Sequence, residues 1–157
     1  MNIVTIAAHK VEGLMKHYKL ITKITELCAS NYEPKTFNHC LRVANYVVDN
    51  VCLESDEEKE IAFILAMCHD LLEDTDVSVK DISEITGYAE IFVDNVLGAL
   101  TKDKSETYIE YIKRLKNNES VYPYIIKLAD MKDHLSQTET LTDKLKEKYW
   151  EALPYLL

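Results

Sequence analysis

The stretch MCHDLLEDTD, residues 67–76, places a histidine and four carboxylates at the end of an apolar run. Acidic side chains this close together repel one another unless a positive charge lies among them. His69 and Asp70 offer an imidazole nitrogen and a carboxylate oxygen, which suit divalent ions such as Mn, Fe, Zn or Mg. On a helix, Glu73 would stack one turn after His69, and Asp74 one turn after Asp70. The stretch therefore predicts a cation site, with a solvated acidic helix end as the alternative.

Two ligands do not complete a site, so further ligands must come from elsewhere in the chain. His39 lies in the middle of a predicted helix, where a hydrogen-bonded core histidine is the alternative. Asp130 lies on an apolar helix, where an unpaired carboxylate would be costly to bury. Its alternative is an ion pair with Lys127 or Lys132 at helical spacing. The sequence leaves the role of His134 open.

The elements that must position these residues are all predicted to be helical. The chain has only three Gly and three Pro in 157 residues, and no segment alternates with a period of two. An apolar run over 61–68 also fits a buried strand, but its Ala, Met and Leu and its charged, capped start favour a helix. We expect a single all-α domain, 1–157, with seven or eight helices around a buried central helix at 61–72. Helices are predicted over 4–30, 33–51, 55–74, 78–87, 88–101, 105–118, 122–137 and 142–157.

Several residues mark the expected ends of these helices. Thr36 fits an N-cap for the second helix, and Ser55 or Asp56 fits one for the third. Ser78 is a predicted N-cap with Gly87 at the C-terminal end of the same helix. The last of these signals is a proline placed for a first turn, at 123.

Composition limits the partners. The formal charge of −9 (18 basic against 27 acidic residues) disfavours binding to polymeric nucleic acid, which needs a basic surface, but allows one small phosphorylated ligand. No stretch approaches the roughly 18 apolar residues of a membrane span. The N-terminus does not resemble a signal peptide, so a cytoplasmic location is expected. The sequence leaves open whether the chain forms a homo-oligomer.

Three motifs resemble those of the HD-domain metal-dependent phosphohydrolases: NHCLRVA at 38–44, CHDLLEDTD at 68–76 and IIKLADMKDH at 125–134. His-Asp-x-x-Glu-Asp followed by Thr-Asp is similar to the hydrolase domain of the RelA/SpoT alarmone enzymes and to the small alarmone hydrolases. KLAD at 127–130, with LTKDKSETYIEYIKRL ahead of it, adds to that similarity. The resemblance runs from about residue 35 to the C-terminus and implies an all-α fold.

The resemblance also implies a metal site and a reaction. Glu73 and Asp74 would be the catalytic acidic pair, which positions or deprotonates a water molecule whose pKa the ion lowers. Mn is the expected ion, and Fe, Mg, Zn, Ni and Co also suit such ligands. The implied metal ligands are His39, His69, Asp70 and Asp130.

Substrate binding requires cations that neutralise phosphoryl charge. For each lysine a solvated surface charge is the alternative, and for the tyrosine a place in the core. The candidates, which include one ring that could stack on a base, are Arg42, Lys102, Lys104, Lys127, Lys132 and Tyr108.

The chain departs from the alarmone enzymes in the substrate region. NYEPKTFNHC carries a single base, Lys35, and Met131 and His134 stand where that branch has arginine and asparagine. The favoured reaction is hydrolysis of the 3′-pyrophosphate of guanosine tetra- or pentaphosphate, (p)ppGpp. A nucleotidase or phosphodiesterase acting on other small nucleotides is the alternative enzyme. A non-catalytic module that binds metal or nucleotide is the alternative outside enzymes.

Overall fold

The computed structural model describes residues 3–50 and 53–157, and within them the side chains of 15–49 and 53–157. Every regular element in these ranges is helical, so the all-α prediction is confirmed. Seven helices have eight or more residues, and two are single turns. None of the described helices is long and apolar enough to cross a membrane. The helices are α1 Ile3–Asn31, α2 Pro34–Asn50, α3 Asp56–Met67, α4 Leu71–Asp74, α5 Val79–Thr86, α6 Glu90–Val93, α7 Tyr108–Lys116, α8 Tyr122–Ser136 and α9 Asp143–Leu156.

The predicted central helix is α3. Its last four residues, 64–67, are completely buried, and the helix packs against α1, α2 and α8. Ser55 is its N-cap, as predicted, and forms a capping box with Glu58, because each side chain bonds the other's backbone N–H. Three acidic residues in the first turn interact favourably with the positive end of the helix dipole. The apolar run after this polar start is therefore the core of the fold.

The chain turns where the sequence predicted a continuous helix over 55–74. The α3 helix ends at Met67, and α4 begins only at Leu71. His69 and Glu73 therefore do not stack on one helix, and that prediction was wrong. The Leu71 amide donates to the Cys68 carbonyl across this turn, over 3.0 Å. Leu71 is completely buried while Glu73 is exposed. The turn thus keeps the apolar side chain in the core and leaves the acidic end of the stretch at the surface.

The remaining boundaries mostly follow the sequence. The caps predicted at Ser78 and Gly87 are confirmed, with Gly87 in the left-handed region at φ 75°. A proline lies in the first turn of α8, as expected. Thr36 is not a cap, because α2 already begins at Pro34, whose fixed φ suits a first helical position. The last residue predicted for that helix, 51, lies outside the described residues.

One further predicted helix, over 88–101, is irregular. It consists of α6 and then a π-helical segment, Asp94–Gly98, in which the turn is wider than in an α-helix. Val96 and Leu97 of this segment are completely buried. The region therefore packs into the core as a helix would, although with a different turn.

Candidate metal centre

The four residues predicted as metal ligands lie together at one point of the fold. His39 comes from α2, His69 and Asp70 from the turn after α3, and Asp130 from α8. His39 Nε2 is 3.1 Å from Asp130 Oδ1 and 4.0 Å from Asp70 Oδ2. His69 Nε2 is 3.2 Å from Asp70 Oδ1 and 3.9 Å from Asp130 Oδ1. Helices α2, α3 and α8 pack against one another, which brings these distant parts of the sequence into contact.

Each of the two histidines has a nitrogen atom that lies near carboxylates but makes no hydrogen bond. Both side chains are at least nine-tenths buried, yet His39 Nε2 and His69 Nε2 have no hydrogen-bond partner among the described residues. A buried polar atom without a partner is costly. Each nitrogen lies beside the carboxylates of Asp70 and Asp130. A cation between them would bind these nitrogen atoms and offset the negative charge, so the residues fit a metal ion.

The opposite nitrogen of each ring is held in place. His69 Nδ1 lies 2.8 Å from the Ala66 carbonyl, and His39 Nδ1 lies 2.7 Å from Asp133 Oδ2. Because both of these partners are acceptors, each Nδ1 carries the proton, and in the neutral ring the lone pair is on Nε2. Ligating histidines in metalloproteins are usually fixed by such outer hydrogen bonds. Both rings are therefore oriented for binding a cation through Nε2.

Asp133 was not predicted from the sequence. It is completely buried and receives two bonds from Arg42, from Nε at 2.7 Å and from the terminal guanidinium nitrogen at 2.9 Å. Burial raises the pKa of Asp133, but the bonds from Arg42 and His39 outweigh burial and hold the pKa below its usual value. Arg42, a predicted substrate contact, therefore supports His39 through Asp133. The available signal was that Asp133 follows Asp130 by three residues on one helix face.

Asp130 is the carboxylate of the cluster whose ionised form is most strongly stabilised. Burial opposes its ionisation, but Lys127 Nζ, 2.5 Å from Oδ2, and contacts from His134 and His39 hold the pKa of Asp130 well below its ordinary value. The predicted alternative of an ion pair with Lys127 is thus present together with the histidine contacts. Oδ1 faces the histidines while Oδ2 faces the lysine. Asp130 is therefore an anion at neutral pH even when no metal is bound.

The carboxylates also affect the proton affinity of His39. Burial lowers the pKa of His39, but Asp130, Asp133 and Asp70 outweigh burial and raise the pKa above its usual value. The cluster therefore attracts positive charge, either as a proton on the ring or as a cation. Coordination requires the neutral ring, so a proton and a metal ion compete for the same nitrogen.

The predicted acidic pair lies beside this cluster, on α4. Both side chains are exposed, and partial desolvation together with the charge of Asp70 raises the pKa of each carboxyl above its usual value. For Glu73, Asp74 also contributes to the rise, while Lys127 and Lys102 oppose it. A carboxylate with a raised pKa is a stronger base, which is the property that proton abstraction requires.

An open cleft leads to the cluster. Its volume is about 530 Å³, and the residues that line it are polar or charged. Small ligands of nucleotide size occupy pockets of roughly 300–1,000 Å³, so the cleft is large enough for one. The side chains that line it come from α2, from the turn between α3 and α4, and from α4 and α8, and they include Lys35, His39, Arg42, Asp70, Asp74, Asp133 and His134.

The four lysines predicted to bind substrate are distributed over three places. Lys127 is next to Asp130, with its Nζ 5.9 Å from the ring centre of Tyr108. Lys102 and Lys104 line a neighbouring cavity near α4 and α7. Lys132 is not brought to the cluster, because its Nζ lies 4.3 Å from the ring centre of Tyr46 in an apolar cavity behind α8.

A further lysine, Lys148 on α9, was missed in the sequence. Its Nζ lies 4.4 Å from the ring centre of Tyr108 and 5.0 Å from that of Tyr149. Partial desolvation and the charge of Lys127 lower the pKa of Lys148, while Asp130 and Glu73 oppose this shift. Lys148 and Lys127 therefore form a cationic and aromatic wall beside the acidic cluster. Its helix gave no motif that could have identified it.

Comparison with known proteins adds no relative. No protein-family model matches the chain, and no curated protein matches it in a sequence search.

The described residues contain two groups whose nitrogen and oxygen atoms lie close enough to hold a metal ion, and His39 belongs to both. The buried histidine and aspartate groups could therefore hold a cation, whose identity the ligands alone do not fix. The groups are His39, His69 and Asp70, and His39, Asp130 and His134.

Proposed function

We propose that the chain is a metal-dependent phosphohydrolase of the HD-domain type, acting on a phosphate or pyrophosphate ester of a nucleotide. One observation carries the proposal. Two buried imidazole nitrogens without partners lie beside two carboxylates, at the end of a polar cleft of nucleotide size. The exposed acidic pair and the lysines beside this cluster supply the further groups that phosphate hydrolysis needs.

The proposed ligands are His39, His69, Asp70 and Asp130. When bound, a divalent ion supplies positive charge to a phosphate oxygen and lowers the pKa of water. Asp133 and the Ala66 carbonyl keep the two rings in the tautomer that binds through Nε2. The turn between α3 and α4 lets two adjacent residues, 69 and 70, reach the same point. Mn is the ion that we propose, from the resemblance of the motifs.

Glu73 is the proposed general base, with Asp74 as the second candidate. Glu73 accepts a proton from the attacking water as the water oxygen forms a bond to phosphorus. The bond between phosphorus and the ester oxygen breaks, and the leaving oxygen takes up a proton. The raised pKa of Glu73 supports this role, because proton transfer is most effective when the pKa of the base lies near the working pH.

Lysines on the other side of the cluster are proposed to neutralise the phosphate. Lys127 is already paired with Asp130. It therefore offsets the negative charge of the proposed ligands and is less able to contact substrate. Among the described residues Lys148 forms no ion pair, and its Nζ lies over two aromatic rings. An exposed ammonium next to the cluster can bind phosphate oxygens that extend from the site.

The favoured substrate is the 3′-pyrophosphate of (p)ppGpp, supported by the resemblance of the motifs and by the size of the cleft. The cleft has Lys35 and Arg42 as its basic residues, and Arg42 is engaged by Asp133. Because few basic side chains are free to bind phosphate, we keep a second candidate, a nucleotidase or phosphodiesterase acting on other small nucleotides.

The substrate is tested with purified protein, Mn²⁺ and a panel of nucleotides that includes guanosine tetraphosphate. We expect Mn-dependent release of pyrophosphate and guanosine 5′-diphosphate from the tetraphosphate. Turnover of another nucleotide, with the tetraphosphate unchanged, would select the second candidate. Metal binding without turnover of any member would instead favour a non-catalytic module.

Substitution Lys148→Gln is expected to lower kcat/KM by roughly 10- to 100-fold, because a hydrogen bond to a charged group contributes about 1.5–3 kcal/mol. Metal content should stay the same, since Lys148 is not a proposed ligand. The matched control is Lys146→Gln, an exposed lysine two residues earlier on α9. Equal kinetics for the two variants would remove Lys148 from the substrate site.

A further inference from the structure

His134 lies at the cluster although it does not belong to the proposed ligand set. It follows Asp130 by four residues on α8, so both side chains lie on the same helix face. His134 Nε2 is 3.1 Å from Asp130 Oδ1, and its ring centre is 4.5 Å from that of His39. The side chain is 37% exposed and lines the cleft. A third imidazole therefore reaches the same carboxylate from the open side.

Asp130 Oδ1 is the point where three imidazoles meet. The Nε2 atoms of His39, His69 and His134 lie 3.1, 3.9 and 3.1 Å from this oxygen. His39 and Asp130 lie between the other two histidines, because they contact both. The ligand atoms of His39, Asp130 and His134 are within 4.8 Å of one another, as are those of the group that contains His69. One ion held by His39 and Asp130 is thus near all three rings.

We propose that His134 is a fifth protein ligand of the same cation, an inference that rests on the metal site in the proposed function. The set then contains three imidazoles and two carboxylates. His134 is the most exposed of the three rings, so its side chain has the freedom to move onto the ion. The proposed ion is single, and His134 binds it from the side of the cleft.

This composition changes which ion is preferred. Imidazole suits Fe, Co, Ni and Zn, whereas Mg²⁺ prefers oxygen ligands and keeps several waters. With three nitrogens in the set, the centre should select borderline transition ions over Mg²⁺ more strongly than a site with two. The third imidazole therefore acts on metal selectivity, and it can be tested without any substrate.

The test is titration of the metal-free protein with Co²⁺ and with Mg²⁺, for wild type and His134→Gln. The glutamine amide keeps a polar group near Asp130 but removes the imidazole. We expect one ion per chain in wild type and at least a 10-fold loss of Co²⁺ affinity in the variant, since even outer partners of ligands contribute about 10- to 100-fold. The loss of Mg²⁺ affinity should be smaller.

The matched control is His17→Gln, which removes a histidine of equal exposure on α1, where its partner is Glu60. Its Co²⁺ affinity should equal that of wild type. Pulsed electron paramagnetic resonance of wild-type protein loaded with Mn²⁺ counts the coordinated imidazole nitrogens without any substitution. Three are expected.

Two coordinated imidazoles, or equal Co²⁺ affinity in wild type and His134→Gln, would overturn the role of His134 and leave the four-ligand centre intact. A second ion per chain that depends on His134 would also overturn it. No binding of any divalent ion by wild type would overturn both this inference and the proposed metal site, so the two failures are distinguishable.

Discussion

Substitution Asp70→Ala is expected to abolish binding of the divalent ion and, with it, the stabilisation that the ion gives. Asp70 places one oxygen 3.2 Å from His69 Nε2 and the other 4.0 Å from His39 Nε2, so it joins the two imidazoles. Without it, the cation would lose a charged ligand in a site that depends on compensating negative charge.

The size of the effect follows from mass action. An ion present at 100 times its dissociation constant stabilises the folded chain by about 2.7 kcal/mol, if it does not bind the unfolded chain. For a protein of this size that is a rise of roughly 5–10 °C in melting temperature. Wild type should show this rise on addition of Mn²⁺, and Asp70→Ala should show none.

Without metal, the effect of Asp70→Ala on the melting temperature should be absent or of opposite sign. The charge of Asp70 raises the pKa of both Glu73 and Asp74, which means that the ionised carboxylates repel one another in the folded chain. Removing Asp70 relieves this repulsion, so the melting temperature of the metal-free variant should equal or slightly exceed that of wild type. Differential scanning calorimetry with and without Mn²⁺ measures both effects on one preparation.

The control for this experiment is Asp76→Ala, which removes an exposed carboxylate from the same acidic stretch. It should keep the ion and the full rise in melting temperature. Equal metal content in Asp70→Ala and wild type would contradict the assignment of Asp70 as a ligand. A loss of metal in Asp76→Ala as well would mean that diffuse negative charge, and not a defined ligand set, binds the ion.

The sequence predicted the helices and the main residues of the cluster for a physical reason. Helical periodicity, caps and the long apolar run depend on local sequence, and they identified the central helix, the Ser55 cap and the end at Gly87. The presence of His39 and Asp130 at the same point as residues 69 and 70 follows from the packing of α2, α3 and α8. Their residue types suggested that meeting, but only the tertiary structure shows it.

The contacts around the ligands could not be predicted because they join distant positions. Asp133 and His39 are 94 residues apart, and nothing local marks the bond between them. Lys148 lies on a helix that carries no motif. Lys132, close in sequence to Asp130, points to the opposite side of α8. A difference of two residues places a side chain on a different face of a helix, which spacing near a motif does not reveal.

The turn after Met67 also explains why the acidic stretch is tolerated. In a continuous helix, residues 69–74 would follow one another along a single axis. The turn instead separates a buried histidine from exposed carboxylates. Lys127 and Lys102 lie near enough to lower the pKa of Glu73, so the local balance of charge is less negative than the sequence suggests. A cation among the ligands would complete that balance.

Glu73→Gln is expected to lower turnover by about 10²–10⁴-fold, the usual contribution of a positioned general base, while metal content stays at the wild-type level. Glutamine keeps the size and hydrogen-bonding shape of the side chain but cannot accept the proton. The Michaelis constant should change little, because the lost interaction belongs to the transition state. The melting temperature should be equal or slightly higher, since desolvation and the charges of Asp70 and Asp74 all disfavour the ionised carboxyl.

Metal content, melting temperature and turnover should be measured on one preparation of Glu73→Gln, beside Glu119→Gln as a matched control. Glu119 is an exposed glutamate in the loop between α7 and α8, and its substitution should leave all three quantities unchanged. If Glu73→Gln loses the ion, Glu73 is a ligand and its assignment as the base is wrong. If turnover is unchanged and the ion is retained, the base lies elsewhere, and Asp74, which lines the cleft beside Asp70, is the next residue to substitute.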